Sequence, residues 1–287
     1  MNLVLGYVIS LLLYPGGLFA LIAGWLLFWL REALAARRRG EPVSRLFQPA
    51  QDVFKLLGKS AGFPAHSETL ARGMPLLLAL SPLVALVLIP VPGNSAFRTS
   101  APTGDLLAVV LLLLLPALTP FVLGQLIRSP LARIAAERAT RPTFLLIGGV
   151  LLSTLAVAAQ RGSLDLSVLA LQQAHPTAAS VLLDALAGLL FCICLPALLA
   201  RRPWGWFRRD LELIAGPFTD LAGADLALVQ LGALAQQVAA LSLLAVLYIL
   251  PFVPGGTAAQ VGAYIATLLL GAALVGLARG SRYSFAR

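Results

Sequence analysis

The strongest constraint in this chain is a succession of apolar runs, most of them as long as the hydrocarbon core of a bilayer is thick. They fall near residues 3–30, 74–91, 106–126, 143–159, 178–200, 226–253 and 261–277. Inside lipid there is no water to meet exposed N–H and C=O groups, so helices and closed barrels are the structures that span. The Leu, Ala and Val blocks do not alternate as barrel strands do. The expectation is therefore an all-α fold, a polytopic transmembrane helical bundle of about seven spans within one integral membrane domain. Composition points the same way: 11% of the residues are charged, against about 25% in a soluble domain. The first run has no basic residue before it and exceeds a signal-peptide core, so it reads as a retained helix. The 226–253 run is long for one crossing and implies tilt or extension past the headgroups.

A net charge of +9 could suggest nucleic acid, but the positions of the charges argue against it. Nineteen of the basic residues fall in the loops 31–73, 127–142 and 201–225 and in the tail, while only Arg98 and Arg161 fall on the other side. Basic residues collect in cytoplasmic loops. The N-terminus is thus expected outside, with those three loops and the C-terminus in the cytoplasm. Two stretches on that side stand out. In the first loop, Val43, Leu46, Phe47, Ala50, Val53, Phe54 and Leu57 recur at helical spacing, with Gln48, Asp52 and Lys55 between them. This predicts an amphipathic interfacial helix begun or bent by Pro49. It serves either to dock or line a site or to anchor on the lipid.

The second stretch runs from Arg201 to Asp225 and gathers four arginines, four aromatics and four of the twelve acids. A loop so polar stays at the water boundary, where Arg201, Arg202, Arg208, Arg209, Trp204 and Trp206 can meet a soluble partner. Its acids Asp210, Glu212 and Asp220 lie near low dielectric, where clustered carboxylates couple and suit proton relay. Pairing with the neighbouring arginines is the structural alternative.

Ionisable groups within spans are costly and mark function. Asp184 is the one acid inside a span, either a relay group or an interfacial acid held by water. Gln125, Gln230, Gln236 and Gln237 could line a hydrated path or bond between helices. Cys192 and Cys194 point to different faces of one helix. His66 and His175 lie in separate loops, so no Cys/His set offers a metal or haem site, and no catalytic constellation is apparent. Matching broken helices of an inverted-repeat transporter are not visible.

Two motifs give the chain a family likeness. Gly40-Glu41-Pro42, followed by Leu46-Phe47-Gln48-Pro49-Ala50-Gln51-Asp52-Val53-Phe54-Lys55-Leu56, resembles the G-P…L-Q-P-x-x-D-x-x-K-L pattern of the complex I subunit 1 family. Arg201-x-Pro203, then Glu212-Leu213-Ile214-Ala215-Gly216 and Asp220-Leu221-Ala222-Gly223, is similar to that family's R-x-P-F-D…E-x-E-L-V-A-G-F-x-x-E-Y-S-G. The likeness covers nearly the whole chain and includes the membrane subunits of formate hydrogenlyase-type and other energy-converting [NiFe] hydrogenases.

The resemblance implies a membrane-arm subunit without redox chemistry of its own, in a prokaryotic inner membrane. Such a subunit seats a hydrophilic electron-transfer arm and couples it to proton or sodium movement. Its expected partners are hydrogenase-like large and small iron–sulfur subunits on the cytoplasmic side, antiporter-like membrane subunits and lipid. The [NiFe] centre and iron–sulfur clusters belong to those partners and this chain binds no cofactor of its own, a quinone being the one ligand the resemblance leaves open. By position, Glu212, Asp220 and Asp210 match family acids beside the quinone-chamber or proton-channel region.

The departures bear on that role. Trp204, Gly205 and Arg208 replace a Phe, an Asp and a Glu. Leu226-Ala227-Leu228-Val229-Gln230 ends in an amide where the hydrogenase branch carries Glu, Gln236 lies near a Lys position, and Arg141-Pro142 stands for Glu-Pro. A glutamine holds water but cannot ionise. The short chain, without an eighth family helix, favours the hydrogenase branch. The alternatives are a quinone-site subunit of a respiratory NADH dehydrogenase, a passive anchor and a stand-alone permease.

Overall fold

The computed structural model describes residues 12–60, 69–92, 105–126, 130–166, 168–169, 178–199, 221–254 and 256–280. The named helices within them are α1 (Gly17–Arg39), α2 (Gln48–Leu57), α3 (Thr69–Leu88), α4 (Leu106–Leu126), α5 (Pro130–Arg161), α6 (Ala178–Leu199), α7 (Ala224–Tyr248) and α8 (Thr257–Gly280). A single 3₁₀ turn, Leu250–Phe252, follows α7. Four segments, Gly17–Arg38, Thr143–Arg161, Ala224–Phe252 and Thr257–Ala278, are long and apolar enough to cross a membrane. Shorter apolar helices at Gly73–Leu88, Leu106–Leu118 and Ser180–Pro196 account for the remaining runs.

The bundle is built around α7. It packs on α1, α2, α3, α4, α6 and α8, while α3–α4–α5–α6–α8–α1 follow one another around it. Ala, Leu and Val cover every side of α7, the pattern of a helix with no solvent or lipid face. Ala235 and the residues from Val238 to Val246 are all buried. Close approach depends on small residues. A Cβ on Gly232 would collide with the carbonyl of Leu78 on α3, and one on Gly24 of α1 would lie 2.7 Å from the carbonyl oxygen of Leu234. The outer helices expose leucines instead, among them Leu145, Leu152, Leu182 and Leu270. That belt is what lipid requires and water penalises.

Three helices run past their apolar runs. α1 continues to Arg39 because residues 31–39 are almost all strong helix formers, and Gly40 ends it in the left-handed conformation at φ 67°. α5 begins at Pro130, a residue suited to the first helical turn, so most of the stretch read as a loop over 127–142 is helical. α8 extends to Gly280. The long 226–253 run resolves differently: α7 stops at Tyr248 and the 3₁₀ turn carries the rest.

Long-range contacts sort the helix ends into two faces. At one, Arg38 reaches Leu277, Arg31 reaches Leu199 and Gly223 meets Ser60. At the other, Tyr14 donates to the Pro92 carbonyl at 2.6 Å, Asp105 bridges Asp165, and Arg161 pairs with Asp184. Successive helices therefore alternate in direction, and the first face is the basic one.

Candidate functional site

The basic face is assembled by α1. After the turn at Gly40 the chain runs back along this helix. The Trp29 and Trp25 indoles donate to the carbonyls of Ser44 and Leu46, each at 3.0 Å. Trp25 also lies against Phe47, ring centroids 5.3 Å apart. This sets the start of α2, where Pro49 occupies the first turn. Val53 packs inward, while Phe47 and Phe54 are 61% and 73% exposed. Gln48, Asp52 and Lys55 are also exposed on this helix. The amphipathic helix thus has a single inward anchor and an apolar flank left for lipid or a partner.

The segment after α2 meets the segment before α7. Gly223 has φ 61° and ψ −132°, a conformation open essentially to glycine alone. A Cβ there would strike the Ser60 carbonyl and lie 2.9 Å from the Lys59 oxygen. Leu221, two residues earlier, packs in a small core with Leu78, Leu123 and Val229. The ends of the two motif-bearing segments are therefore held against one another.

Arginines finish this face. The last carbonyls of a helix have no partner within it and carry negative partial charge. Arg31, 5% exposed, donates from Nη1 to Leu199 O at 3.3 Å at the end of α6. It lies 3.7 Å from the Glu32 carboxylate and 4.7 Å above the Phe28 ring. Arg38 donates to Leu277 O at 2.9 Å near the end of α8. By sequence both count as loop charges, whereas they lie within α1. Here they fasten two helix ends to α1, and the α6 end leads into residues 201–220.

Deeper in the bundle, polar groups line up along α7. Gln236 donates from Nε2 to Leu113 O of α4 at 3.1 Å. Neither side-chain polar atom of the adjacent Gln237 has a partner, although the residue is 1% exposed. The Ser242 hydroxyl donates to Val238 O and shares a 2.7 Å hydrogen bond with Tyr264. Gln230 is half-buried and Gln125 is exposed near the end of α4. Among the described residues no group of three His, Cys, Asp or Glu could hold a metal.

At the opposite face Asp184 accepts from Arg161 Nη2 through Oδ2 at 2.8 Å, with side chains 1% and 11% exposed. Its Oδ1 has no partner, nor does Arg161 Nε. Tyr248 reaches toward Ser153 and Asp184, with its hydroxyl buried and outside hydrogen-bond geometry. Arg161 is thus the counter-ion of Asp184 as well as a charge of the non-basic face. The sequence signal was available: one of the two arginines of the non-basic side ends α5, and the one acid within a span lies about two turns into the next helix, α6. Glu212, Asp220, Asp210, Arg201, Arg202, Arg208, Arg209, Trp204 and Trp206 lie outside the described residues, as do His66 and His175.

Comparison with known proteins fits this architecture. The chain is 28% identical over 228 residues to hydrogenase-4 component C of Escherichia coli (strain K12), covering 78% of this chain and 70% of that protein. Its fold superposes with a TM-score of 0.74 on a chain of the membrane-bound sulfane sulfur reductase, an archaeal respiratory membrane complex. That match spans 95% of this chain and 89% of the other at 22% identity. The sequence profile of the NADH dehydrogenase family matches residues 8–279. This multi-pass membrane protein belongs to the NADH dehydrogenase family, the complex I subunit 1 lineage of membrane-arm subunits.

Proposed function

We propose that the chain is the membrane-arm subunit of an energy-converting complex of the [NiFe] hydrogenase type. It seats the hydrophilic electron-transfer arm on its basic face and links redox chemistry there to movement of protons or sodium. The observation that carries this reading is the junction at Gly223 and Ser60. It brings the residues after the interfacial helix against those that follow Arg201–Asp220 in the sequence, which supports one docking surface shared by the two motifs. The likeness to hydrogenase-4 component C favours the hydrogenase branch over the quinone-reducing one. Redox centres belong to the partners, with iron–sulfur subunits on the basic side and antiporter-like subunits within the membrane. Relay through Asp220, Glu212 and Asp210 follows from their position in the second motif. A passive anchor is the second reading, because Gln236 and Gln237 cannot ionise and Asp184 is already paired.

The test is isolation of the native complex and identification of the subunits that migrate with it. Large and small hydrogenase-like subunits are expected, and a chain that purifies alone would refute the assignment. Replacing Arg208 and Arg209 by Ala should weaken retention of the soluble arm. Asp220→Asn should reduce coupled ion uptake more than assembly. Full uptake in that variant would remove Asp220 from the relay and favour the anchor.

A further inference from the structure

A cavity of about 310 Å³ runs between α6 and α7, with Val181, Asp184, Ala185, Cys192, Leu244 and Phe252 among the residues along it. Val181 and Phe252 are partly exposed at the face opposite the basic loops. Cys192 lies 11 residues further along α6, about 16 Å deeper at the helical rise. We propose that this cleft is a water-filled vestibule, open at the non-basic face, whose occupant is a short file of water reaching from Val181 to Cys192.

Two buried groups on residues along it call for water. Asp184 Oδ1 and the Tyr248 hydroxyl have no hydrogen-bond partner, and buried polar groups in folded proteins are nearly always satisfied. A lipid chain could fill the apolar wall but would leave both unbonded. A cation would want several oxygen ligands and would meet one carboxylate already held by a guanidinium. Water supplies both a donor and an acceptor, and the volume far exceeds the ~15 Å³ one water needs. The inference rests on the membrane-spanning fold and is independent of whether this subunit conducts ions.

The two native cysteines provide the test. Cys192 lines the cavity, whereas Cys194 is buried and its Sγ packs against the backbone of Gly149. The assembled complex in sealed vesicles of known sidedness would be treated with methanethiosulfonate ethylammonium, a small hydrophilic thiol reagent, and each cysteine followed by mass spectrometry. Thiol reactivity follows access of water to the thiolate, so Cys192 should react about tenfold faster than Cys194. The reaction should proceed from the face opposite the C-terminal tail. Ala185→Phe, which narrows the cleft, and Val181→Trp, at its partly exposed mouth, should each slow Cys192 by about tenfold without altering Cys194. Three outcomes would overturn the proposal. One is a Cys192 inert to this reagent but labelled by lipid-soluble N-ethylmaleimide, which marks a lipid-filled cleft. The others are labelling from the basic face, and labelling indifferent to both variants when each is assembled.

Discussion

Each buried arginine in a bilayer protein needs a partner, and this chain provides two kinds. Arg31 is tied to a helix-end carbonyl and an aromatic ring, with the carboxylate of its own neighbour Glu32 at 3.7 Å, whereas Arg161 is tied to a carboxylate on the next helix. The second kind is testable by its asymmetry: removing one member of a buried pair strands the other charge, at a cost of about 3–5 kcal/mol, while replacing both by apolar groups costs far less. Asp184→Leu alone should therefore destabilise the solubilised protein more than Asp184→Leu combined with Arg161→Met, as read from melting curves. Strictly additive losses would show that the two side chains do not interact. Gly223 offers a sharper contrast. Alanine there meets a disfavoured backbone region, at about 1–3 kcal/mol, and the Ser60 carbonyl as well. Gly223→Ala should lower the melting temperature, and Gly73→Ala, with nothing within 4 Å of its added methyl, should leave it unchanged or raise it.

Among elements, the contrast between α7 and α2 shows what a sequence discloses. The apolar runs placed α4 and α6 to within a residue, since hydrophobicity changes abruptly at their ends. α1 and α5 run on because Ala, Leu, Glu and Arg continue a helix whatever their polarity, and hydropathy alone does not register that. α2 was legible from its spacing, and Pro49 marked its start. Its attachment was not legible, because both indole bonds to Ser44 and Leu46 span a turn that sequence leaves undirected. The site divides in the same way. The motif residues, Gly223 among them, and Asp184 stood out by type, whereas the contact of Gly223 with Ser60 and the Arg161 pairing depend on which helices become neighbours. If the indoles hold the returning segment, Trp25→Phe and Trp29→Phe each forfeit about 1 kcal/mol of hydrogen bonding. Hydrogen exchange over residues 48–57 should then quicken in the double variant while α7 stays protected. Unchanged exchange would mean that Val53 and the Ser60–Gly223 contact hold α2 by themselves.

At the scale of the whole molecule, the two faces differ in how they use charge. On the non-basic side Arg161 is neutralised by Asp184, which leaves Arg98 as the only other basic residue in the sequence assigned to that side. The opposite loops and tail keep a large surplus even after Arg31 and Arg38 are committed to helix ends. Orientation is set by basic residues close to the spans. The count of nineteen basic residues against two predicts that the basic face lies in the cytoplasm. A fluorescent protein fused after Arg287 should fold and fluoresce there, and alkaline phosphatase at the same point should stay inactive. Phosphatase fused after Arg98, in the connection between α3 and α4, should be active outside. The reverse pattern would turn the arginine-rich face away from every cytoplasmic partner, and the docking role would fall with it.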